Sequence, residues 1–198
     1  MAETGFRKGI SGYFTRPLVR ILARTPVTPN VLSWTGFAIT LVSGLVIGYG
    51  HLFVAGWLVL FAGLFDMLDG ALARQVNRIT RFGAALDSTL DRLSEAILFL
   101  SLMVWFAQNQ EVLMVLVTGA TLVGSFMVSY IRARAEGIGL ELKDGLFTRA
   151  ERVIVLALGL LLSRFGLVLA TAIYIILVFS LFTAGQRLYL VWRKARTS

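Results

Sequence analysis

The chain has 198 residues, 57% of them hydrophobic and 15% charged, with a mean hydropathy of +0.79 and a formal net charge of +8. That composition excludes an ordinary soluble domain and fits one integral membrane unit. The basic residues punctuate apolar segments and form no continuous face, which argues against nucleic acid. With no cysteine, the chain has no disulfide and no thiolate metal site.

The opening residues have no apolar core followed by a cleavage site, so no signal peptide is expected. Residues 5–24 mix Phe6, Ile10, Tyr13, Phe14, Leu18, Ile21 and Leu22 with Arg7, Lys8, Arg16, Arg20 and Arg24. This stretch is too basic to span and predicts an N-terminal amphipathic helix on an anionic membrane surface, broken near Pro17. Thr25-Pro-Val-Thr-Pro29-Asn30 reads as a turn in which Thr28 or Asn30 caps the next helix. Residues 1–28 are thus a juxtamembrane segment and residues 29–198 a helix bundle, within one domain.

Six membrane segments are predicted, giving an all-α integral membrane protein. Residues 31–50 are 20 positions without a charge, matching the roughly 20 that span a bilayer. Residues 52–74 are apolar until Asp66, and residues 83–107 are apolar after Glu95. Residues 112–130 end in Arg132 and Arg134, residues 148–162 form a short segment, and residues 167–191 form the last. Thr148-x-x-Glu151 reads as a capping box for the short fifth segment. With this count, the loops at 50–51, 108–111 and 163–166 share one side and carry only Arg164. The other side holds 17 of the 19 basic residues, and Arg92 lies within the third segment. That asymmetry places both termini in the cytoplasm of a multi-pass plasma-membrane protein.

Gly56, Gly63 and Gly70 recur every seven residues, and Gly44 and Gly48 form a small-xxx-small pair. Both patterns predict close helix packing. No internal repeat is present, which argues against a transporter built from inverted halves. The one histidine, His51, sits in a loop away from the acidic residues and reads as incidental.

Four carboxylates stand out. Asp66 and Asp69 are three residues apart, and Asp87 and Asp91 are four apart, so each pair shares one helix face. The second and third segments are joined by a short link and are expected to be antiparallel neighbours. All four acids then face each other at head-group depth on the cytoplasmic side. Ionised groups so placed mark a functional site. They cannot all stay ionised without cations, and oxygen ligands alone select hard ions such as Mg²⁺, Mn²⁺ or Ca²⁺. Two divalent ions would neutralise the cluster and clamp a pyrophosphate. Gly70 leaves room for a ligand, and Arg74 one turn on reaches a phosphate. The competing reading is a buried ion network with Arg74, Arg78, Arg81 and Arg92. A cation transporter is the rival from another class, but it would spread acids through the bilayer depth, and here they crowd one end.

The run Asp66-x2-Asp69-Gly70-x2-Ala73-Arg74-x8-Gly83-x3-Asp87-x3-Asp91 resembles the signature of the CDP-alcohol phosphatidyltransferase family at every specified position. The resemblance implies that Asp66, Asp69, Asp87 and Asp91 bind two metal ions, Mg²⁺ or Mn²⁺. It implies that Asp91 is the catalytic base that deprotonates the acceptor hydroxyl, whose oxygen attacks CDP-diacylglycerol and releases CMP. It further implies that Asp66, Asp69, Gly70, Ala73, Arg74, Thr80 and the stretch Pro29, Asn30, Val31 and Leu32 contact the CDP-diacylglycerol, and that the enzyme is a homodimer in membrane lipid.

The arginines of Ser129-Tyr-Ile-Arg-Ala-Arg-Ala-Glu136 and Thr148-Arg-Ala-Glu-Arg152 would form an anion pocket beside the metals, suited to a phosphorylated alcohol. Positive-inside topology also asks for arginines there. This run is similar to the phosphatidylinositol-phosphate synthase branch of the family. On that resemblance Arg132 and Arg152 hold the acceptor phosphate, with Arg134, Arg149 and Arg193 behind them. The implied product is phosphatidylinositol phosphate, with a phosphatidylglycerophosphate synthase using glycerol 3-phosphate as the alternative. Glu95 continues the stripe of Asp87 and Asp91 and is expected either to support those acids or to pair with Arg92 or another cation.

Overall fold

Apolar runs of this kind fold as helices because a chain in lipid must satisfy its backbone N–H and C=O groups within itself. The computed structural model describes residues 18–23, 25–76, 80–142 and 145–196, and the regular structure among them is α-helical. Six helices follow in order: α1 (Pro29–Gly48), α2 (Leu52–Gln75), α3 (Arg81–Gln108), α4 (Val112–Gly137), α5 (Arg149–Leu161) and α6 (Val168–Ala195).

Local chemistry sets their ends. Pro29 opens α1, where its missing N–H costs nothing. Thr28 holds the N-cap position but makes no side-chain capping bond. Thr80 caps α3 by accepting the Gly83 N–H at 2.9 Å. The expected capping box opens α5: the Thr148 N–H donates to Glu151 Oε2 at 2.8 Å, and the Thr148 hydroxyl meets the same carboxylate. Gly50 turns the chain from α1 into α2 at φ +81°, a conformation glycine adopts without strain.

Each helix packs on two others, and the pairs close a ring that runs α1, α2, α5, α6, α4, α3 and back to α1. Small residues make the crossings tight. A Cβ at Gly44 would fall 2.7 Å from Ile97 and Ser101 on α3, and one at Gly56 would fall 2.8 Å from Leu161, where α5 ends. Gly63 also faces α5, through Val153. Gly48, by contrast, has nothing within 4 Å of where a Cβ would be. The expected neighbours α2 and α3 share one apolar core, and they meet mainly through α1. Both pack on α1, whose Gly36 and Gly44 let it seat between them, and the two acidic helices face an open space. At the far end of the ring the core is dry, with Ile47, Leu102, Leu160 and Ile173 fully buried.

Four helices, α1, α2, α4 and α6, are long and apolar enough to cross a membrane. The first 15 residues of α3 carry Asp87, Asp91, Arg92 and Glu95, and α5 has 13 residues. The fold is therefore an all-α, multi-pass membrane bundle. Of the expected surface helix, residues 18–22 are helical, and Val19 joins an apolar cluster with Leu32, Leu68 and Leu72. Residues 5–17 and 24 lie outside the described residues.

Candidate active site

The open space is a cavity of about 940 Å³, placed where α2 and α4 finish and α3 and α5 begin. Its lining includes Asp66 from α2, Asp87 and Asp91 from α3, Arg132 from α4, Arg149 and Arg152 from α5, and Arg187 from α6. Acids and arginines so meet in one chamber, drawn from five helices.

A single guanidinium joins the two acidic helices. Arg149 Nη2 lies 2.7 Å from Asp66 Oδ2, and its Nη1 lies 2.5 Å from Asp91 Oδ1. Asp69 is not part of the cavity lining. It is buried against α1, where it accepts the Ser33 hydroxyl at 2.6 Å. Asp66 also touches α1, since a Cβ at Gly36 would come within 2.9 Å of Asp66 Oδ1. Among the described residues no three acidic side chains converge on one point as they stand; Arg149 stands between Asp66 and Asp91. That guanidinium is a cation surrounded by carboxylate oxygens, so the donor set suits a hard positive ion.

Among the described residues, the arginines named for the alternative ion network make no ion pair with the four aspartates at bonding distance, although Arg92 is near enough to Asp87 to act on its charge. Arg92 donates to the Ser88 carbonyl, Arg74 folds back beside Gly70, and Arg78 lies outside the described residues. The cation paired with Asp66 and Asp91 among the described residues comes from α5.

The residues expected to contact a nucleotide lipid gather where α1 and α3 begin. Asn30 Oδ1 lies 3.4 Å from where a Gly83 Cβ would sit, so the start of α1 touches the start of α3. Pro29 opens α1, Val31 is exposed, and Leu32 is buried with Leu68 and Leu72. Ala73 and Arg74 are in the last turn of α2, and the Thr80 oxygen is engaged as a helix cap.

The arginines divide by surroundings. Arg132 is exposed on the cavity wall and paired with Glu136 at 2.8 Å. Arg152 is 1% exposed and grips Glu95 through two bonds, Nε to Oε1 at 2.6 Å and Nη2 to Oε2 at 3.0 Å. Glu95 thus pairs with a cation, as one of its two expected roles allowed. Arg134 and Arg193 do not line the cavity. Arg187 does, and sequence reasoning missed it. Its Nη1 donates to the Val128 carbonyl at 2.7 Å, and Gly145 lies so close that a Cβ there would sit 2.5 Å from the guanidinium. The available signal was position: Arg187 precedes Tyr189 and Trp192, so its charge lies inside the apolar segment rather than beyond its aromatic edge.

A family model described as CDP-alcohol phosphatidyltransferase matches residues 26–186. The phosphatidylinositol phosphate synthase of Mycobacterium marinum is 40% identical over 185 residues, covering 90% of this chain and 79% of that protein. The crystal structure of the Mycobacterium tuberculosis phosphatidylinositol phosphate synthase with CDP-DAG bound is similar at a TM-score of 0.82 and 38% identity, over 90% of this chain and 93% of that one. The structure of the same enzyme in complex with manganese and citrate gives a TM-score of 0.82 at 38% identity, over 90% and 88%.

Proposed function

Because this chain belongs to the CDP-alcohol phosphatidyltransferase family, we propose that it transfers the phosphatidyl group of CDP-diacylglycerol to the hydroxyl of an inositol phosphate. The products are phosphatidylinositol phosphate and CMP. The observation that carries this reading is the chamber in which Asp66, Asp87 and Asp91 share one space with Arg132, Arg149 and Arg187. A lipid-linked phosphate and a phosphorylated alcohol need both sets of charges.

The acceptor hydroxyl gives its proton to Asp91, and its oxygen forms a bond to the lipid-side phosphorus while the bond from that phosphorus to the CMP oxygen breaks. To act as base, Asp91 must reach that hydroxyl with an oxygen free of the Arg149 guanidinium. Two divalent ions, Mg²⁺ or Mn²⁺, held by Asp66, Asp69, Asp87 and Asp91, supply charge neutralisation for the pyrophosphate and the departing CMP. Ser33 holds the Asp69 carboxylate in position from α1. Pro29, Asn30, Val31, Leu32, Gly70, Ala73, Arg74 and Thr80 bind the nucleotide lipid, and the arginines that open on the chamber, Arg132, Arg149 and Arg187, bind the acceptor phosphate.

In this reading residues 1–198 form one domain that crosses the plasma membrane six times, as a homodimer. Its N-terminal helix lies at the interface, and both termini and the chamber face the cytoplasm. The basic residues at the chamber end of the helices support that orientation. The test is transfer from radiolabelled CDP-diacylglycerol to inositol phosphate or glycerol 3-phosphate, with Mg²⁺ and with EDTA. Transfer to inositol phosphate that stops in EDTA is expected. CMP release that persists in EDTA, or transfer to neither acceptor, overturns the reading.

A further inference from the structure

We propose that Arg149 is an exchangeable counter-ion: it fills the cation position between Asp66 and Asp91 until a divalent ion takes that position, and its charge then turns to the phosphate of the acceptor. This rests on the metal-dependent reading above. Four observations carry it.

The guanidinium bridges carboxylates from two helices, α2 and α3, that both pack on α1, and it offsets part of their negative charge. A divalent ion bound to the same oxygens would lie within a few ångströms of that guanidinium, and like charges so close repel. Metal and Arg149 therefore exclude each other.

The grip of Arg149 is also incomplete. Its Nε is buried and has no hydrogen-bond partner among the protein groups, so one donor of the guanidinium is left over for another ligand. The side chain is 24% exposed and lies on the wall of the chamber, so it has room to turn.

Nor does α5 depend on Arg149 for its place. Three residues on, Arg152 binds Glu95 of α3 through two bonds and reaches the Phe147 carbonyl at 3.4 Å. The capping box of Thr148 and Glu151 holds the first turn. The backbone is anchored while the neighbouring guanidinium is not committed to it.

Finally, Arg132 and Arg187 border the same chamber. An arginine released from the aspartates becomes one more donor for an anion there. The consequence is positive coupling: an anion that occupies Arg149 favours the metal, and the metal favours the anion by the same factor.

The experiment measures Mn²⁺ affinity of the purified full-length protein in detergent by the EPR signal of free Mn²⁺, with and without sulfate as the oxyanion probe. For the unaltered protein, sulfate should tighten Mn²⁺ binding about tenfold. Arg149→Gln should bind Mn²⁺ at least as tightly as the unaltered protein without sulfate, and sulfate should no longer change its affinity. Weaker binding by Arg149→Gln, or an unchanged sulfate effect, overturns the proposal while leaving metal-dependent transfer standing. No Mn²⁺ binding by the unaltered protein overturns the metal-dependent reading as well. A second measurement covers poor folding of the variant. In EDTA, Arg149→Gln should unfold at a lower temperature than the parent, and Mn²⁺ should restore more of its Tm than it adds to the parent. An equal deficit in EDTA and in Mn²⁺ marks a purely structural role and overturns the proposal. Arg149→Lys keeps the charge and should retain the competition with Mn²⁺; affinity raised as far as in Arg149→Gln overturns it too.

Discussion

Ser33 on α1 and Asp69 on α2 share a buried hydrogen bond of 2.6 Å, so a helix without any acidic residue fixes one of the four motif aspartates. A hydroxyl bonded to a carboxylate contributes about 1.5–3 kcal/mol. Ser33→Ala should lower kcat/KM for CDP-diacylglycerol roughly tenfold. The check is CMP release at varied CDP-diacylglycerol; unchanged kinetics would show that Asp69 holds its place without α1.

Glu95 and Arg152 are a different case, because both are almost fully buried. Removing one charge strands the other, at a cost of about 3–5 kcal/mol. Glu95→Gln and Arg152→Met should each lower the Tm in detergent, and the double variant Glu95→Leu with Arg152→Met should lose less than the worse single one. If Arg152→Met instead keeps its Tm and raises only the KM for inositol phosphate, the arginine serves the acceptor directly.

Asp91→Asn tests the base. Loss of a general base lowers turnover about 10²–10⁴-fold. The variant should still bind CDP-diacylglycerol, measured by equilibrium binding, while its single-turnover rate falls by that factor. Full activity would remove Asp91 from that role.

Arg187→Gln addresses the acceptor side. A charged hydrogen bond lost from a phosphate costs about 1.5–3 kcal/mol, so the KM for inositol phosphate should rise at least tenfold. The KM for CDP-diacylglycerol should stay level, which a general collapse of the chamber would not permit.

Helical periodicity brings Asp66 near Asp69 and Asp87 near Asp91, but it does not say which of them opens on the chamber, and Asp69 turns to Ser33 instead of lining it. The all-α class and the α5 capping box were legible for the same kind of reason: each depends on residues within a few positions of one another. What stayed hidden depends on the order in which helices pack. The short link at 76–80 suggested that α2 and α3 touch, yet α1 lies against both through Gly36 and Gly44. Asp66 and Arg149 are 83 positions apart, and Glu95 and Arg152 are 57 apart. No local rule pairs residues at such distances. Arg187 was hard to see for another reason: positive-inside topology places arginines at that end of the bundle whether or not they bind anything.

The brevity of α5 reaches beyond the protein itself. Its 13 residues extend about 20 Å at 1.5 Å each, against roughly 30 Å of hydrocarbon in a typical bilayer. Ile154, Leu158 and Leu162 on this flank are exposed, so lipid meets a low apolar wall there. Matching it requires the bilayer to thin or the helix to shift. Because Arg152 ties α5 to Glu95 of α3 through two bonds, the bilayer rather than the helix is the part that yields. The lipid beside the chamber is therefore thinner than the surrounding bilayer, which shortens the distance from the head-group plane to the acidic residues.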